Sequence, residues 1–185
     1  MSRHWFNERV GSEGEYLDVL RRLESAEEAD VVEQALTAAR ERLGMDAAYV
    51  GTLDSREQTI LAVVGQTGAP ELSSGGVIPL EETYCMRMLN GQIANVVPDT
   101  RAEPAVKDLR AASLLGAYVG VPVTLANGEI HGTLCCVSAD ARPDLGDDEL
   151  RFMRVLAGII AARVDRSKTN LARMTERFRA ARSAD

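Results

Sequence analysis

The stretch that decides the fold is Glu81–Ser138, EETYCMRMLNGQIANVVPDTRAEPAVKDLRAASLLGAYVGVPVTLANGEIHGTLCCVS. Its first residues predict a short helix over 81–89, stopped by Asn90-Gly91, and then a strand over 93–97. After Pro98 the segment 99–114 reads as irregular, with a helical turn around Ala105–Ala112. Strands over 117–124 and 129–138 are expected to form a hairpin about Asn127-Gly128, a dipeptide that readily adopts the positive φ such turns need. Gly120 and Gly132 fall inside these strands. Glycine weakens a strand and often marks a place where a ligand, or another part of the chain, comes close.

Working outward, the loop 65–79 (GQTGAPELSSGGVIP) is rich in Gly, Ser and Pro and should lie on the surface. Before it, strands over 47–53 and 59–64 flank the turn Asp54-Ser55-Arg56-Glu57. Residues 15–24 carry Tyr16, Leu17, Leu20 and Leu23 at helical spacing. Ser25 and Glu28 read as a capping box for a second helix with Val32, Leu36, Ala39 and Leu43 on one face, closed by Gly44. Residues 1–14 read as a loose arm in which Trp5 and Phe6 dock on the domain or on a partner.

A long C-terminal helix is expected from Asp147, which is placed to cap it. Leu150, Ala157, Val164, Leu171 and Phe178 recur every seven residues, and Met153, Ile160, Ser167 and Met174 form a second series offset by three. Together they read as the seam of a coiled coil, and so as a homodimer interface of Leu150, Met153, Ile160, Val164, Leu171, Met174 and Phe178. Phe152, Leu156 and Ile159 require the first half of that helix to pack on the domain as well. Residues 11–33 carry eight acidic and two basic side chains, whereas 163–182 carry seven basic and two acidic, so the first and last helices can attract each other.

At 185 residues and 45% hydrophobic content the chain suffices for one sizeable core. Its 21 basic and 28 acidic residues give a net charge of -7, which argues against a general nucleic-acid binder. No run approaches the roughly 20 apolar residues of a membrane span. Three cysteines, two of them adjacent, make no disulfide framework, and the N-terminus lacks a secretory apolar core, so a cytoplasmic location is expected.

The helix Thr83-Tyr84-Cys85 to Leu89, the strand end Val97-Pro98-Asp99, Tyr118-Val119-Gly120-Val121-Pro122 and Gly132-Thr133-Leu134-Cys135 resemble GAF domains, the small-molecule sensory modules of bacterial signalling proteins. The similarity runs from about Glu27 to Asp165. It implies an α+β fold: a central antiparallel sheet of five or six strands, terminal helices on one face, and on the other a short helix and loops roofing a pocket. The domain would span 15–165, with 166–185 a coiled-coil-like extension. The resemblance extends to GAF segments that precede cyclic-di-GMP or histidine kinase domains. No such effector follows here, so the expected output is to a separate effector protein.

The candidate ligand-binding residues are Thr83, Tyr84, Cys85, Asp99, Thr100, Tyr118, Gly120, Thr133 and Cys135, in an apolar shell of Val50, Met88, Val97 and Leu134. Tyr118 can stack on a planar ligand, and Asp99, an acceptor when ionised, suits a guanidine, amine or nucleobase N–H. Asp99 reads equally as a turn or helix cap. No cofactor and no metal are expected, and the ligand itself is not identified. Cys135 and Cys136 point to opposite faces of a strand, and Cys85 can approach the roof-side one as a thiol switch for an oxidant or nitric oxide. Free methionine sulfoxide reductases are GAF-like enzymes that use cysteines, but the loop 65–79 here has none. With no phosphate loop, nucleophile elbow or zinc helix, a non-enzymatic sensor is expected. A ligand-free dimerisation scaffold and a cysteine-based redox sensor are the alternatives.

Overall fold

The computed structural model describes residues 31–182, with the side chains of the last helix described as far as Thr169 except Ser167. The arm 1–14, the helix 15–24 and the capping box at Ser25 lie outside the described residues, as do the side chains of Leu171, Met174 and Phe178. The order is α1 (Val31–Leu43), β1 (Ala47–Leu53), β2 (Glu57–Gly65), β3 (Val77–Pro79), α2 (Tyr84–Leu89), β4 (Val96–Val97), β5 (Ala117–Thr124), β6 (Ile130–Ser138) and α3 (Asp147–Arg182). The six strands form one antiparallel sheet in the order β3-β2-β1-β6-β5-β4. Among the described residues no helix is long and apolar enough to cross a membrane.

Strand alternation gives the sheet two differently covered faces. On one, Leu36, Ala39 and Leu43 of α1 and Phe152, Met153, Leu156 and Ile160 of α3 bury Val50, Val119, Val121, Leu134 and Cys136. On the other, α2 and the segment between β4 and β5 cover Tyr49, Ile60, Tyr118, Cys135 and Val137. Val50 and Leu134 therefore belong to the helix side and not to the shell expected around a pocket. Met153 and Ile160 are buried in the chain's own core, with Leu150 and Val164 packed against it. Met153 and Ile160 of the heptad seam thus face the sheet.

The helix ends follow local chemistry. At the end of α1, Gly44 takes φ +57°. Its N–H reaches the Glu41 carbonyl while the Met45 N–H reaches that of Arg40. These are the two bonds of a Schellman cap, which needs the left-handed residue glycine supplies. Asp147 is the first residue of α3 rather than its cap. The Gly146 carbonyl accepts from Leu150 N–H, and the Glu149 carboxylate accepts from Gly146 N–H at 3.0 Å.

Three expectations differ in detail. The loop 65–79 ends in an edge strand, β3, paired only with Glu57–Thr59. The helix expected over 81–89 is a 3-10 turn, Leu80–Glu82, followed by α2, with Thr83 between them. Only Val96 and Val97 of the strand expected over 93–97 pair with β5. β1 and β5 run as expected, and β6 begins at Ile130.

One irregularity positions the site. Val50 pairs with Ala62 but Gly51 pairs with Ile60, so Leu61 is an extra residue in β2. Beyond this bulge the parity of β2 reverses, and Ile60 and Gln58 turn toward α2. At the same point β1 presses on β6, where a Cβ on Gly132 would sit 1.9 Å from the Gly51 carbonyl oxygen. Gly132→Ala is expected to lower stability by about 1–3 kcal/mol, since backbone must move. Gly158→Ala, in α3 with nothing within 4 Å of the new methyl, is expected to raise it by up to about 1 kcal/mol. Urea unfolding of the two variants checks both signs.

Candidate functional site

The chemistry gathers where α2 crosses β1, β2, β5 and β6. Thr83 caps α2: its hydroxyl oxygen accepts from Met86 N–H at 3.1 Å and its own proton goes to the Leu80 carbonyl at 2.8 Å. That start turns Cys85 inward, where it is fully buried. The Cys85 Sγ lies 3.4 Å from Cys135 Sγ. Gln58 Nε2 donates to Cys85 Sγ at 3.3 Å and to Thr133 Oγ1 at 3.1 Å, and Thr133 Oγ1 donates to Cys85 Sγ at 3.2 Å. The Tyr118 hydroxyl stands 3.5 Å from Cys135 Sγ and 3.8 Å from Cys85 Sγ, and the Tyr49 hydroxyl is 3.8 Å from Cys85 Sγ.

These side chains form one buried polar network in an otherwise apolar interior. Each polar group finds its partner within the network, which is what makes its burial tolerable. The electrostatics are lopsided. The Cys135 thiol, then the Thr133, Gln58 and Tyr118 donors, pull the Cys85 thiol below its ordinary pKa against the opposing effect of burial. Burial, then the neighbouring Cys85, holds Cys135 well above the thiol range. Tyr49 and Tyr118 are likewise raised, chiefly by burial and then by the charge that would sit on Cys135.

Two of the chain's own tyrosines lie where the pocket is expected. Tyr118 folds back along its own strand, so that a Cβ on Gly120 would lie 2.0 Å from the tyrosine hydroxyl. Gly120 makes room for this phenol, and Gly132 makes room for the backbone of β1. Tyr84 lies against Tyr118 with ring centroids 5.3 Å apart and planes tilted by 32°. Its buried hydroxyl lies toward Thr100, with no well-formed hydrogen bond among the described residues.

Of the expected ligand residues, the structure brings together Cys85, Tyr118, Thr133 and Cys135, with Tyr84 and Gly120 beside them. Thr83, Asp99 and Thr100 do other work. Asp99 is exposed and caps a 3-10 turn by accepting from Arg101 N–H at 3.0 Å, as its alternative reading held. Thr100 is buried and donates to the Leu115 carbonyl at 2.5 Å. Gln58 and Tyr49 complete the network and were not expected. Tyr49 was legible in principle, since it alternates with Val50 on a strand whose other face is core. An open groove lies apart from this network, between Met88 and Pro122 on one side and Arg154 and Gly158 of α3 on the other.

Residues 25–165 match the family profile of the GAF domain. The chain belongs to the GAF domain family. A cyclic di-GMP phosphodiesterase of Pseudomonas aeruginosa is 24% identical over 156 residues, 80% of this chain. The chain spans only 24% of that relative's length. The GAF domain of an Acinetobacter phosphoenolpyruvate-protein phosphotransferase superposes with a TM-score of 0.67 at 14% identity, over 91% of this chain and 97% of its own. A free methionine-R-sulfoxide reductase from Neisseria meningitidis, solved with its substrate, gives a TM-score of 0.62 at 24% identity, over 84% of this chain and 91% of its own. These structural likenesses carry the α+β fold, and the family profile places the chain among the GAF domains, a family of sensory modules.

Two measurements test the site. Gly120→Ala is expected to destabilise by about 1–3 kcal/mol through collision with Tyr118, and most of that cost should vanish in a Tyr118→Ala background. Additive costs in the double-mutant cycle would mean that the glycine serves something else. Stability should also fall as pH rises above about 9 and again above about 10. Cys135, Cys136, Tyr49 and Tyr118 ionise in the unfolded chain while burial holds their folded pKa values higher, so the folded state binds more protons there. Cys85, lowered on folding, acts in the opposite sense at lower pH. Urea midpoints at pH 8 and 10.5 read the difference.

Proposed function

We propose that this GAF domain is a non-catalytic sensory module whose sensing element is the polar network buried under α2 and whose output element is α3. The observation that carries the reading is that Gln58, Thr133, Cys85, Cys135 and Tyr118, each no more than 1% exposed, converge beneath a roof one short helix thick. A network of donors at that depth matters where it can be exchanged for something else. The described arrangement is then the closed state. A small ligand rich in hydrogen-bond acceptors displaces the Tyr118 ring and takes over the donors of Gln58, Thr133 and Tyr49.

Such a ligand shifts the domain only through its different affinity for the closed and open arrangements. The shift reaches α3 through β6, because Cys136 Sγ meets Met153 Sδ at 3.8 Å and β5 packs along the same helix. The distal part of α3 pairs with a second copy or with a signalling effector. The relative named as a cyclic di-GMP phosphodiesterase, matched over a quarter of its length, supports a regulatory place within a longer signalling chain.

A second reading has its own support. Tyr118 and Tyr84 are buried against each other under the roof, as the ligand-free dimerisation reading requires. Native mass spectrometry of protein purified without denaturation, followed by a denaturing run, separates the two. The sensor reading expects a discrete mass excess lost on denaturation. It equally expects a panel of nucleotides and metabolites to contain a stabiliser, since a ligand at 100 times its Kd adds about 2.7 kcal/mol. A clean mass and an unmoved melting temperature across the panel favour the scaffold.

A further inference from the structure

We propose that Cys85 and Cys135 are a two-electron thiol switch that closes to a disulfide on reaction with a small hydroperoxide. The geometry comes first. The sulfurs stand 3.4 Å apart on different elements, α2 and β6, so closing to about 2.05 Å asks roughly 1.4 Å of movement from a six-residue helix. The surroundings come second. Gln58 Nε2, Thr133 Oγ1 and the tyrosine hydroxyls aim donors at Cys85, and no carboxylate belongs to the network. A neutral thiol is a weak acceptor, whereas a thiolate uses every one of these bonds. The site is built to hold sulfur as an anion, which is the nucleophilic form.

Cys136 supplies the internal comparison. It is one residue from Cys135 but on the apolar face against Met153, and burial alone pushes its thiol far up. The same strand thus carries one cysteine in a donor-rich site and one in an inert site.

The chemistry balances as follows. The Cys85 thiolate attacks the distal peroxide oxygen; the O–O bond breaks, an S–O bond forms, and the departing alkoxide takes a proton to leave as an alcohol, or as water from hydrogen peroxide. The Cys135 sulfur then attacks the sulfenic sulfur; the S–O bond breaks, the S–S bond forms, and hydroxide leaves as water with the Cys135 proton. Two thiols are oxidised by one electron pair, and the peroxide is reduced. An external thiol reverses the step by exchange. Both sulfurs are fully buried, so reaction proceeds through opening of α2. This switch needs no ligand, and it rests on the reading of the site as a sensing element only for its effect on α3.

The test is intact-mass and peptide mapping of the folded full chain treated with hydrogen peroxide. The expected result is a loss of about 2 Da, mapped to a Cys85–Cys135 link, reversed by dithiothreitol, with Cys136 still free. In Cys135→Ser the same treatment should leave a dimedone-trappable sulfenic acid on Cys85, whereas Cys85→Ser should show neither product. Unchanged mass, oxidation without a link, or a link through Cys136 overturns the proposal, and the wild-type result decides even where a variant fails to fold. Hydrogen exchange over β6 and residues 147–166 is read on the same samples. Disulfide formation with unchanged exchange there would uphold the switch and remove the sensing role assigned to the site.

Discussion

The alternation of Cys135 and Cys136 along β6 divides the interior of this domain into two cores of different chemistry. Cys136 faces an almost wholly apolar layer built by α1 and α3. Cys135 faces a layer in which thiols, a carboxamide and hydroxyls are buried together. An apolar core stabilises through removal of area from water and asks little of any single residue. The polar one is tolerated only while its bonds are made, because an unmatched donor at that depth costs about 1–3 kcal/mol. Every residue of the roof side is therefore conditional on its neighbours in a way that the helix side is not.

The bulge at Leu61 is what completes that network. Without the extra residue, the face of β2 carrying Gln58 would look toward α1 and α3, and Cys85 and Thr133 would lose a shared donor. The exposed Leu61 side chain is the visible cost of the reversal. Gly51 and Gly132 belong to the same device, since β1 and β6 approach where the register changes. A local irregularity in one strand thus decides the polarity of a site assembled from five elements.

Features governed by local chemistry were legible in the sequence. Gly44 ends α1 and Gly91 ends α2 in left-handed backbone, and Gly128 turns the β5–β6 hairpin, because few other residues accept that φ. The split of Cys135 and Cys136 between faces, and the approach of Cys85 to the first of them, followed from period-two alternation. What depended on register was not legible. Gln58 falls between the expected turn 54–57 and the strand expected over 59–64, and no alternation pattern announces a parity change. Thr83 and Asp99 were read toward a ligand because the residue types that cap a helix are those that line a polar site. Met153 and Ile160 fit a dimer seam and a core-facing stripe equally well, since both repeat at helical spacing, and only burial separates the two. The folding of Tyr118 over Gly120 follows from the pleat: residues two apart on a strand share a face, and a glycine there leaves the space its neighbour's ring fills.

The way α3 is attached decides what kind of change can reach it. Among the described residues its polar ties include an Arg42–Glu149 ion pair at 3.9 Å near its start and the Asp165 carboxylate accepting Ala126 N–H at 2.9 Å beside the hairpin tip. A partly exposed ion pair contributes under about 1 kcal/mol and a single hydrogen bond about the same. The apolar contacts between them, with Phe152, Met153, Leu156 and Ile160 all nearly or fully buried, outweigh both. Tightly packed contacts resist gradual shear and favour movement of the helix as a body. The Cys136–Met153 contact, one residue from Cys135, lies within this packed layer rather than at either end of the helix.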